Sequence, residues 1–90
     1  MGTRVRINNG INWVVEDAGI RVFGSPIAPG RFIAYPEAAV WDFLSRAYTI
    51  EVIVSRLRRL DRRLAPNADS WVESVLMGWI DVGLIVGEAD

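Results

Sequence analysis

The order of the hydrophobic periodicities constrains this chain more than any single residue does. Up to Tyr35 the apolar residues fall in short alternating runs broken by turn formers. From Ala39 to Ile85 they recur at spacings of three and four. Strands first and helices afterwards, within ninety residues, point to one α+β domain covering 1–90.

Val5-Arg6-Ile7 runs into Asn8-Asn9-Gly10, and Asn-Gly suits the positive φ angles of a type I′ turn. A hairpin into Ile11–Glu16 is therefore expected. Asp17-Ala18-Gly19 is the next turn, and Ile20–Phe23 the next strand. Gly24-Ser25-Pro26 and Pro29-Gly30 punctuate a loop before a last short strand, Arg31–Tyr35, which Pro36 ends. The expectation is three or four antiparallel strands between about 4 and 35.

Helices are expected over about 36–46, 49–64 and 69–82. The first carries Ala39, Val40, Phe43 and Leu44 inward, with Trp41 on a flank. The second opens on Thr49 as N-cap and buries Ile50, Ile53, Val54, Leu57, Leu60 and Leu64. Pro66-Asn67 ends it. Asp69 or Ser70 caps the third, and Gly83 stops it before a final extended piece, Leu84-Ile85-Val86. A small sheet followed by three helices is the layout of a winged helix-turn-helix fold.

The third helix has an apolar arc running from Trp71 through Val82, Val75, Trp79, Val72 and Leu76 to Ile80. That is about half the circumference, wider than the ~100° a surface helix needs. Val72, Leu76, Trp79 and Ile80 read as core, and Trp71, Val75 and Met77 as lining a groove. A spare apolar face of this kind also suits a dimerisation module. Of the four tryptophans, Trp71 is the one expected outside the core.

Composition removes most chemistry. The chain has no Cys and no His, which excludes disulfides, zinc sites built on those residues, and Ser-His or Cys-His nucleophiles. All ten basic residues are Arg, so no phosphate-loop or Schiff-base lysine exists. The carboxylates are scattered, and no enzyme, cofactor or metal is expected. No apolar run of ~18 residues is present to span a membrane, and a cytoplasmic protein is the expectation. Arg56, Arg58, Arg59, Arg62 and Arg63 form the one concentrated charge. A DNA-binding winged helix would use such arginines, but the third helix carries Asp69, Glu73 and Asp81 with no Arg, and the net charge is −1.

Three segments carry a family resemblance: Tyr35-Pro36-Glu37-Ala38-Ala39-Val40-Trp41-Asp42-Phe43-Leu44, then Thr49-Ile50-Glu51-Val52-Ile53-Val54, then Gly83-Leu84-Ile85. In this order and spacing, over roughly 11–86, the chain resembles the PqqD-like family. These are the recognition elements of ribosomally made, post-translationally modified peptide pathways, and include the stand-alone B1-type proteins of lasso-peptide systems. The chain departs from the family pattern at Arg46-Ala47-Tyr48, where a short acidic or glycine turn is usual, and at an apparent insertion before the last strand.

The resemblance implies a non-catalytic module that holds the leader segment of a precursor peptide. The leader would add as a strand beside Arg31, Phe32, Ile33, Ala34 and Tyr35, or beside Ile20–Phe23, and pack side chains against Trp71, Val75 and Met77. The module would then present it to a maturation enzyme, a protease or a radical-SAM-type modifier. Arg56, Arg59 and Arg63 would meet acidic residues of the leader or enzyme.

Overall fold

The computed structural model describes residues 4–24 and 30–88; residues 25–29 of the expected loop lie outside them. The element order is β1 (Arg4–Ile7), β2 (Ile11–Glu16), β3 (Gly19–Gly24), β4 (Arg31–Ala34), α1 (Glu37–Ser45), α2 (Ile50–Leu60), a 3₁₀ turn (Ala65–Asn67), α3 (Ala68–Asp81) and β5 (Ile85–Glu88). The fold is α+β, with strands followed by three helices. No helix of the described residues is long and apolar enough to cross a membrane.

The strands make two sheets. β2, β3 and β4 form an antiparallel meander with β3 in the middle, and β1 pairs with β5. The expected β1–β2 hairpin is thus corrected. A turn does form, with Ile11 N–H donating to Asn8 O at 3.0 Å. Gly10 does not take positive φ, so the turn is not type I′. Asn8 supplies the reason: its N–H donates to Leu84 O and its Nδ2 to Gly83 O, both at 3.0 Å. Those bonds seat the end of β1 on the chain leaving α3.

Opposed residues of the meander share a face. Ile11, Ile20, Val22 and Ile33 point at the helices and are buried. Beneath them lies Trp41 of α1, fully enclosed rather than on a flank. Its ring meets Trp13 of β2 edge-on at 5.7 Å and Trp79 of α3 at 5.4 Å. Three tryptophans therefore tie sheet, first helix and last helix together. The Trp41 indole N–H is buried with no hydrogen-bond partner among the described residues. α2 closes the core with Ile53, Val54 and Leu57, and β5 with Ile85.

Helix ends follow local chemistry. Thr49 caps α2, its Oγ1 accepting from Val52 N–H at 3.3 Å. α2 stops at Leu60, four residues before the expected Leu64, because Asp61 turns extended. Its carboxylate accepts from Arg63 N–H at 2.9 Å and from the Arg63 guanidinium at 3.2 Å. A local side-chain bond of this kind competes with the helix. The guanidinium bond, with the backbone bond second, holds the Asp61 carboxyl below the ordinary aspartate range. Leu60, the last residue of α2, is 67% exposed and not part of the buried stripe. α3 starts at Ala68 with Asn67 in the cap position and no side-chain cap, so neither Asp69 nor Ser70 caps it; Ser70 Oγ instead donates to Asn67 O.

α3 ends as expected on Gly83, at φ 83°. Gly83 N–H donates to Ile80 O and Leu84 N–H to Trp79 O, a Schellman motif. α1 ends the same way, with Ala47 N–H to Leu44 O and Tyr48 N–H to Phe43 O. There the left-handed residue is Ala47, at φ 61°.

Candidate functional site

β4 is the strand that joins the meander to α1. Ile33 is 3% exposed and belongs to the core, while Arg31, Phe32, Ala34 and Tyr35 are exposed. Tyr35 N–H donates to Ala18 O at 3.4 Å. In an antiparallel pair, inward-bonded and outward-facing residues alternate. Ile33 and Arg31 therefore bond inward to β3, and the N–H and C=O groups of Phe32 and Ala34 face outward. Among the described residues no strand pairs with that outer edge. β3 is paired on both sides, so the Ile20–Phe23 alternative has no free edge to offer.

Phe32 lies on the outer face of the sheet, with the Arg21 guanidinium 5.3 Å from its ring centre. Arg21 also bonds Glu16 at 3.0 Å. The ring leans over Gly19, where any Cβ would strike the Phe32 ring and the Ile33 carbonyl. β4 and β3 can thus lie close only because residue 19 is glycine.

The expected groove residues of α3 do not share a face. Trp71 and Val75 are four apart, half-buried on one flank against the core. Met77 lies roughly 120° around the axis from Trp71, is 58% exposed, and stands on the other flank beside Ile80. Ile80, expected in the core, is 41% exposed. The core stripe of α3 (Ala68, Val72, Leu76 and Trp79) separates the two flanks.

The Met77 flank lines a groove of about 470 Å³ that α3 shares with the start of α2 and with Val5 of β1. Its floor is Val5, Ile50, Val54, Leu76, Met77 and Ile80, and its rim is Glu51, Asp69 and Glu73. Arg58 reaches Asp69 at 2.9 Å.

The arginine face is less uniform than the sequence suggests. Arg56 stacks over the Tyr48 ring at 4.7 Å, Arg63 pairs with Asp61, and Arg59 is exposed. One feature escaped sequence reading altogether. β2 also ends the sheet, and Trp13 and Val15, though aimed at the helical side, are 38% and 64% exposed. The strand overhangs the helix layer. The run Ile11–Val15 with no charge in it was the available signal. No group of three or more His, Cys, Asp or Glu among the described residues is placed to hold a metal.

No protein-family model matches the chain, nor does any curated protein or solved structure.

Proposed function

We propose that this protein is a non-catalytic peptide-binding module. It takes up the leader segment of a ribosomally made precursor peptide as an added strand on β4, and presents it to a separate maturation enzyme. The observation that carries the reading is the outer edge of β4, which no strand of the described residues pairs, with the backbone of Phe32 and Ala34 turned outward. An edge of this kind supplies main-chain hydrogen bonds, and neighbouring apolar side chains supply selectivity. Phe32 and Tyr35, 38% and 52% exposed, are the side chains at hand on the strand. The half-buried Trp71 and Val75 are the candidates on α3, and Met77, on the opposite flank, leaves this role. The resemblance of the first two helices and the Gly83-Leu84-Ile85 ending to the PqqD-like family supports the same reading.

The test is a titration with the leader half of a short peptide encoded beside this gene, followed by amide hydrogen exchange. The Phe32 and Ala34 amides should gain protection. Ala34→Pro removes an outward N–H without touching an inward bond, an edge position that tolerates proline. It should keep the fold and lose binding. Protection appearing along β2 instead would move the site to the other edge. Duplex DNA binding that falls steeply with salt, with no peptide response, would replace this reading with a nucleic-acid one.

A further inference from the structure

The groove between α2 and α3 sets an apolar floor inside an acidic rim. Met77 and Ile80 leave apolar area open to solvent on its floor, while Glu51, Asp69 and Glu73 stand around it. Glu51 and Asp69 lie in the first turns of their helices, where a carboxylate favours its own helix. Glu73 has no such reason. It sits one turn after Asp69 on the same face, a like-charge spacing that weakens a helix. Arg58 bonds Asp69 at 2.9 Å, yet that carboxylate's side chain stays 75% exposed.

We infer that this groove is a second docking surface, which takes a basic segment of another protein: an apolar side chain seated on Met77 and Ile80, flanked by Arg or Lys facing Glu51 and Glu73. Charge complementarity selects the occupant, since an acidic rim raises the local concentration of cations and repels acidic competitors. A second copy of this chain is the less suitable occupant. Its exposed Leu60, with Arg59 next to it and Arg56 one turn before it in α2, has the right chemistry. But Leu60 and the groove lie on opposite flanks of α2, so the contact would run head to tail rather than as the two-fold pair most dimers make. The groove is also on the other flank of α3 from Trp71 and Val75, so both surfaces can be filled at once. That the basic partner is the maturation enzyme rests on the leader-binding reading; the groove's chemistry does not.

The probe is a helical peptide of alternating leucine and arginine pairs, compared with its twin in which glutamate replaces arginine, followed by methyl NMR. The arginine peptide should shift the Met77 and Ile80 methyls, and the glutamate twin should not. Glu73→Lys should weaken binding by about tenfold or more at low salt. Ala34→Pro, blocked at β4, should respond as the parent does, so that failure of the groove and failure of the strand edge read separately. Equal binding of both peptides, or shifts confined to β4 and Trp71, would overturn the inference. So would a concentration-dependent rise in sedimenting mass abolished by Met77→Glu, which would give the groove to a second copy.

Discussion

Ala47 shows how one residue can hold a turn it is poorly suited to. Its φ of 61° is the left-handed conformation in which a Cβ crowds the following carbonyl. The turn survives because two backbone bonds, from Ala47 to Leu44 and from Tyr48 to Phe43, fix it, and because Tyr48 packs on Phe43 at 5.7 Å. Gly83 closes α3 through the same bonding pattern at no such cost. Ala47→Gly should therefore raise stability by about 0.5–1 kcal/mol, the strain relieved exceeding the entropy a glycine adds to the unfolded chain. Urea denaturation at an unchanged m value checks it. Loss of stability would mean that the turn tolerates its alanine without strain.

Among the elements, α2 is where packing and periodicity part. The spacing of its apolar residues extends to Leu64, but the helix ends at Leu60 and the buried set is Ile53, Val54 and Leu57. Leu57→Ala should cost about 2–5 kcal/mol. Leu60→Ala, in the same chemical series, should stay within about 0.5 kcal/mol. Similar losses at both sites in thermal melts would put Leu60 back in the core. The same contrast explains what was legible in the chain. β2, β3, β4 and the three helices follow from local pattern and turn chemistry, because each is specified by neighbours within a few residues. The partner of β1 is specified by Asn8 reaching Gly83 and Leu84, a contact no local pattern encodes. The early end of α2 hangs on the Asp61–Arg63 bonds. Of the site, the strand Arg31–Tyr35 was readable, as was the surplus apolar surface of α3. The division of that surface between two flanks was not, since it depends on where α2 and β1 come to lie.

For the whole molecule, a body of 35 × 35 × 20 Å leaves room for a thin core, and Trp41 sits at its centre. It touches the sheet through Trp13 and the last helix through Trp79. Trp41→Ala should cost about 3–5 kcal/mol. That is a large part of what a domain this size has in reserve. Near-ultraviolet circular dichroism should lose its tryptophan signal together with far-ultraviolet helicity, in one transition. A protein that kept both would not depend on this stack to join its layers.

The clasp of β1 with β5 has a consequence for how the chain comes to be folded. Arg4 stands opposite Glu88, so β1, made before the other described strands, waits for β5, made after them. Until then the meander and helices can assemble by short-range contacts, while a nascent chain carries one strand with nothing to pair. Pairing across that sequence distance carries a loop-closure cost that the short-range contacts avoid.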